Sequence, residues 1–209
     1  MAPLVLALKA FLTFFVVVDP VGIAPVFLAL VGDRDPREQR RVALRAVSVA
    51  VAIFALFGLF GEPLLRYLGV EIAAFRIAGG ILLFKIAVDM VFASRVRETP
   101  EEEAEARYRD DVSVFPLAIP LLVGPGAMTS LLVLLGEARD VPGGFALVMA
   151  SGAAVFLVAL VTLLASRRLG ELLGRTGVNV VGRVQGVLLS ALAVQFIVDG
   201  VLSVLAERL

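Results

Sequence analysis

The chain contains no cysteine, histidine or tryptophan. Without thiols or imidazoles it lacks the usual ligands of a zinc site, a thiolate nucleophile and any serine–histidine–aspartate triad. The absence of cysteine also leaves the redox compartment unread. Charge is scarce and balanced: 19 basic residues, 17 of them arginine and two lysine, stand against 19 acidic ones, and net charge is zero. No basic excess exists to serve as a nucleic-acid footprint, so no nucleic-acid partner is expected.

Apolar residues fill the space left by charge. Of 209 residues, 60% are hydrophobic and 18% charged, whereas a soluble domain is typically about 45–50% apolar and about 25% charged. The first apolar stretch has a single positive charge, Lys9, and runs past Asp19 to Val31 without a small-residue cleavage site. It reads as a membrane span rather than a cleavable signal peptide.

A helix needs about 20 apolar residues to cross the hydrocarbon core. Six segments pass or nearly pass: Leu4–Val31, Val42–Gly61, Ile72–Ala93, Val112–Leu135, Val141–Ser166 and Val178–Ala206. Long continuous runs argue against the alternating strands of a barrel, so the expected architecture is all-α. Between spans 1 and 2 lie Arg34, Arg37, Arg40, Arg41 and Arg45; between 3 and 4, Arg95, Arg97, Arg107 and Arg109; between 5 and 6, Arg167, Arg168 and Arg175. The opposite side offers Arg66, Arg139 and Arg208. That bias places the arginine-rich loops in the cytoplasm and both termini outside, in the periplasm of an inner-membrane protein.

The two halves of the chain echo one another. Phe14–Gly22 and Ile119–Gly126 each carry a Pro/Gly break in a long apolar span, and Leu68–Arg76 resembles Thr176–Arg183. Three spans per half is an odd number, so the second copy must insert upside down, as in the inverted repeats of many secondary transporters. The expected organisation is a three-helix repeat over residues 1–93, a charged cytoplasmic linker over 94–111 containing Glu101–Glu105, and an inverted repeat over 112–209.

Asp19-Pro20-Val21-Gly22 and Gly124-Pro125-Gly126 combine a missing backbone donor with a relaxed backbone near the middle of spans 1 and 4. A helix interrupted there exposes N–H groups on one half and carbonyls on the other. Such a pair suits a zwitterion: N–H groups for its carboxylate, carbonyls and Asp19 for its ammonium. The candidate substrate-binding residues are Asp19, Pro20, Gly22, Gly124, Pro125, Gly126, Thr129, Ser130 and Gln195. A simple packing kink is the competing reading of the breaks. Asp19 is either a cap for the second half-helix or a proton carrier, and the two roles are compatible. Thr129 and Ser130 either bind a ligand or bond their own helix. Gln195 is an interhelical bond or a site ligand. Arg76 and Arg183, which open the last helix of each half, are anchors or gating residues. Lys85 and Asp89, four apart, form a structural pair, and Gly79-Gly80 with Gly182 and Gly186 mark close helix approach.

Four stretches carry a resemblance. Asp19–Pro25 (DPxG-x-x-P), Phe75–Phe84 (FRIAGGILLF), Pro120–Ala127 (PLLxGPGA) and Val194–Gly200 (VQFIxDG) are similar to the MarC family of bacterial and archaeal inner-membrane proteins, also described as neutral amino acid transporters. The resemblance implies six spans, a fold similar to the LysE superfamily of exporters, and small neutral amino acids as substrates. Ile23 stands where many members have Asn.

The combined expectation is an integral membrane protein whose partners are the lipid bilayer, a small neutral amino acid and a coupling proton or sodium ion. It needs no cofactor, holds no metal, and is not an enzyme, since Glu62 and Glu71 lie near span ends with no nucleophile beside them. A passive channel and a non-transporting membrane protein are the alternatives. Monomer and homo-oligomer both remain open.

Overall fold

A computed structural model describes residues 2–92 and 112–208. The acidic linker expected over 94–111 lies outside the described residues, as do Arg95, Arg97, Arg107 and Arg109. All regular structure among the described residues is helical. In chain order the helices are α1 (Pro3–Val18), α2 (Ile23–Val31), α3 (Pro36–Tyr67), α4 (Ile72–Val91), α5 (Ser113–Leu122), α6 (Pro125–Glu137), α7 (Gly144–Leu164) and α8 (Ser166–Arg208).

Local chemistry sets the ends. Pro3 and Pro36 occupy the first turns of α1 and α3, where a missing N–H costs nothing. The Asp35 carboxylate accepts the Arg37 N–H at 2.7 Å and so caps α3. At the other end of α3, Gly69 (φ 69°) lets the chain reverse: its N–H reaches the Arg66 carbonyl and the Val70 N–H the Leu65 carbonyl.

Three helical stretches are long and apolar enough to cross a membrane alone: α3, α7 and Asn179–Ala206 within α8. Two further candidates are bent pairs, α1 with α2 (42°) and α5 with α6 (49°), which gives three to five candidate spans. Helix α4, the expected third span, has 20 residues but carries Arg76, Lys85 and Asp89. Its charges, not its length, set it apart. Lys85 and Asp89 lie 3.6 Å apart, as their spacing suggested.

The fourth span bends between α5 and α6, at the Gly124-Pro125-Gly126 signal, and α5 itself is kinked before Pro116 and Pro120. Phe115 (φ −128°, ψ 124°) and Ile119 (φ −123°, ψ 124°) are extended, because the ring of a following proline disfavours the helical conformation. The loop expected between spans 5 and 6 is instead helical from Ser166, with a kink at Gly174. Arg167 of this stretch donates to the Gly32 carbonyl at 2.8 Å, fastening it to the end of α2.

One end of the bundle therefore gathers the start of α1, the α3–α4 turn and the α6–α7 turn. The other gathers the α2–α3 turn and the α7–α8 junction with their arginines. Between them, α1, α3 and α7 share a core in which Phe14, Phe54 and Phe156 meet edge to face, centroids 5.1 and 5.2 Å apart. The outer faces present Leu12, Phe60, Leu157 and Leu202, each more than half exposed, as a lipid-facing surface requires.

Helices α4 and α8 pack antiparallel through glycines. A Cβ on Gly80 would press on Ile197 and the Ala193 carbonyl, one on Gly186 on Met90 and the Ala87 carbonyl, and one on Gly200 on Ile77 and the Ala73 carbonyl. In lipid, where apolar surface alone does not drive helices together, such close backbone approach supplies the attraction. The expected Gly182–Gly186 pair is only half used, since Gly182 faces open space. Gly186→Leu should lower thermal stability in detergent by the about 1–3 kcal/mol of an overpacked core. Gly182→Ala should melt at or slightly above the parent temperature, because it removes a helix-interior glycine without a clash.

Candidate functional site

The break between α1 and α2 is built by Asp19 and Pro20. Pro20 has no N–H for the Val16 carbonyl, and the residue before a proline is disfavoured in the right-handed helical region. Asp19 accordingly leaves the helix in the left-handed region (φ 46°, ψ 64°). Its carboxylate folds back to accept the Gly22 N–H at 2.9 Å, and its carbonyl accepts the Ile23 N–H at 3.2 Å. Asp19 thus caps the start of α2, one of the two roles open to it. The last turn of α1 keeps carbonyls that have no helical donor after them. Pro20 is buried, and Asp19 and Gly22 are half-buried.

The second break is simpler. Gly124 is extended (φ −88°, ψ 178°) and Pro125 opens α6 with no side chain capping it. The N–H groups of buried Gly126 and Ala127 therefore point from an uncapped helix start, the positive end of its dipole.

The two breaks lie side by side. A Cβ on Gly126 would strike the Leu83 side chain of α4 and lie 3.2 Å from Val17 at the end of α1. Thr129, 1% exposed, packs its side chain into the space left by Gly79 of α4. Ser130 is wholly buried and its hydroxyl has no hydrogen-bond partner. On the other flank, Gln185 of α8 lies against the Asp19 carboxylate, and its own Oε1 is buried without a partner. The two breaks thus meet at Val17 and Gly126, with α8 against the first through Gln185 and α4 against the second through Gly79 and Leu83.

Gln195, Arg183 and Arg76 stand apart from this locus. Gln195 is on the exposed face of α8 and donates to Asp199 at 2.7 Å. It makes a bond within its own helix, not an interhelical one. Arg183 is exposed; Arg76 is half-buried with its Nε unpartnered. Gln185 is the residue beside the first break that the motifs did not single out. It was legible in the phase of α8: Gln185, Leu189, Ala193, Phe196 and Gly200 recur every three or four residues and are all buried, whereas Gln195 falls out of phase.

An unpaired buried carboxylate costs at least about 2.5–3.5 kcal/mol at the centre of a bilayer. Asp19 forms no ion pair among the described residues, so the Gly22 N–H and Gln185 are what support it. The arrangement offers a carboxylate and carbonyls at one break and helix-start N–H groups at the other. No three carboxylates cluster so as to hold a metal ion among the described residues. Two open grooves of about 530 and 380 Å³ lie away from the breaks, at the end of α3 and beside the α6–α7 turn.

Residues 4–205 match the family model described as MarC family integral membrane protein. The chain belongs to the MarC family. It is therefore an integral membrane protein, and its relatives carry names that state no activity. A UPF0056 membrane protein of Aquifex aeolicus is 39% identical over 96% of this chain and 94% of its own. One from Methanocaldococcus jannaschii is 38% identical over 92% of this chain and 94% of its own. The UPF0056 membrane protein YhcE of Escherichia coli is 35% identical over 92% and 90%. No solved structure matches this MarC chain.

Replacing Asp19 separates its capping from its charge. Asp19→Ala should lower thermal stability in detergent by about 1 kcal/mol, the worth of a helix cap. Asp19→Asn keeps an oxygen for the Gly22 N–H and should unfold close to the parent temperature.

Proposed function

We propose that this chain is a secondary transporter moving small neutral amino acids, or similar small zwitterions, across the cytoplasmic membrane by alternating access. The observation that carries this reading is the apposition of the two helix breaks, one presenting a carboxylate and free carbonyls, the other free N–H groups. A carboxylate of the substrate would face the start of α6 and its ammonium would face Asp19. Thr129, Ser130 and Gln185 would complete the polar wall, with Pro20, Gly22, Gly124, Pro125 and Gly126 shaping it. Asp19 would also take the coupling proton or sodium ion.

The packing supports a chain of six spans in two inverted repeats, with α4, packed on α8, as the third span. Arg76 and Arg183 are 107 positions apart. A shift of that length exchanges the Gly80–Ala193 and Gly186–Ala87 contacts to within one residue. The same exchange relates the α1–α7 packing to α3–α5, and the α4–α6 packing to α2–α8. An inverted pair can present its central site to either side by rocking one set of helices against the other. The arginine bias supports cytoplasmic placement of the α2–α3 and α7–α8 connections and periplasmic placement of both termini.

Purified protein in liposomes should accumulate or exchange a radiolabelled small neutral amino acid, with saturation and counter-exchange, when a proton or sodium gradient is imposed. Asp19→Asn should abolish accumulation while the folded fraction is unchanged, and Gln185→Leu should raise the half-saturating concentration. Transport by Asp19→Asn at the parent rate would remove Asp19 from the site. Flux that never saturates would favour a channel instead.

A further inference from the structure

Of the two halves of each broken span, α1 and α6 run from the breaks to the same end of the bundle. Near the breaks they touch through Val17 and Gly126. Toward that end, Lys9 Nζ donates to Glu137 Oε2 at 2.6 Å, joining α1 to the last residue of α6. Two residues on, Arg139 of the α6–α7 turn donates to Glu62 of α3. Glu62 is held at the same time by Arg66 of its own helix, at 3.1 Å. The α6–α7 turn is thus clamped on both sides, by α1 and by α3. Lys9 lies ten residues before Asp19, about 15 Å along a helix, which is half the thickness of a hydrocarbon core. The clamps therefore sit where the membrane meets water.

The other two halves differ. Helices α2 and α5 contain no ionisable residue, and among the described residues they make no packing comparable to that of α1 on α6. Among the described residues, the ion pairs that join α1 and α3 to the α6–α7 turn gather at one end of the route to the breaks; at the other, Arg167 donates to the Gly32 carbonyl.

We infer that the Lys9–Glu137 and Glu62–Arg139 ion pairs form the outer gate of the site between the two breaks, and that this conformation is the one closed on that side. The inference rests on the transport reading and adds to it how access is controlled. Glu62 suits a gate because it has two partners. When the turn moves away and takes Arg139 with it, Arg66 stays beside Glu62 on the same helix, so opening does not leave Glu62 unpaired at the membrane boundary. The groove of about 380 Å³ lined by Glu62, Leu135 and Arg139 gives the turn room to move. Each such partly exposed pair is worth only a few-fold in an equilibrium, which suits a barrier that must open in every cycle. This gate is distinct from Arg76 and Arg183, whose alternatives are anchoring and gating.

The natural absence of cysteine makes a direct test clean. Ser130→Cys, buried in the second turn of α6, and Val17→Cys, at the end of α1, report access to the breaks. In intact cells, an impermeant thiol reagent added outside should label both reporters slowly. Adding Lys9→Glu or Glu62→Gln should speed labelling about threefold. The exchange Lys9→Glu with Glu137→Lys should return it to the slow rate, which a misfolded variant would not do. Labelling unchanged at both reporters, or fast labelling that the exchange leaves fast, would overturn the gate. Labelling reads access whether or not an amino acid moves. A working gate without uptake would overturn the transport reading alone, and uptake with indifferent labelling the gate alone.

Discussion

Within an apolar bundle, a backbone that leaves the helix must find partners for its freed N–H and carbonyl groups, because hydrocarbon supplies none. The bond from the Gly22 N–H to the Asp19 carboxylate is how this chain meets that requirement at its first break. Proline at position 20 makes the interruption unavoidable, and aspartate at 19 makes it tolerable. The carboxylate in turn needs company, and Gln185 of α8 provides it. One local necessity thereby ties the first span to the last helix.

The glycine contacts between α4 and α8 set the positions of everything else around the breaks. Gly79 and Gly80 are neighbours in sequence but serve different faces: Gly80 admits the α8 backbone, and Gly79 admits Thr129 of α6. A larger residue at either position would push two helices apart at the level of the site. Close packing on α8 also fixes the rotation of that helix, and that rotation turns Gln185 inward and Gln195 outward. The site is thus shaped by helices that contribute few polar atoms to it.

Much of this was legible in the chain itself. Proline and glycine punctuation located both breaks, since their effect on the backbone is local and needs no tertiary information. Family membership followed from motifs spread along nearly the whole length. Side-chain direction was less accessible. Gln195 attracted attention because it lies in an apolar run, but depth in a span says nothing about which face a residue occupies. The burial phase of α8, set by packing on α4, assigned that face to Gln185 instead. Gly182 was misread for the same reason: its spacing from Gly186 is right, but both ends of the pattern need a partner helix, and only Gly186 has one. The distortion of α5 before Pro116 and Pro120 was present in the sequence as two X-Pro steps.

The two breaks are not chemical copies, and that difference gives the proposed site a direction. The first has Asp19, whereas the second has Gly124 at the equivalent place and no acidic side chain. If both breaks carried a carboxylate, the locus would attract cations and repel the acid end of an amino acid. If neither did, the helix start at α6 would favour anions alone. On the transport reading, one of each, where Val17 approaches Gly126, would suit a molecule bearing both charges a few bonds apart. On the transport reading proposed above, asymmetry in chemistry within near symmetry of packing would let one pathway bind a polar substrate in a single orientation while its two halves exchange conformations.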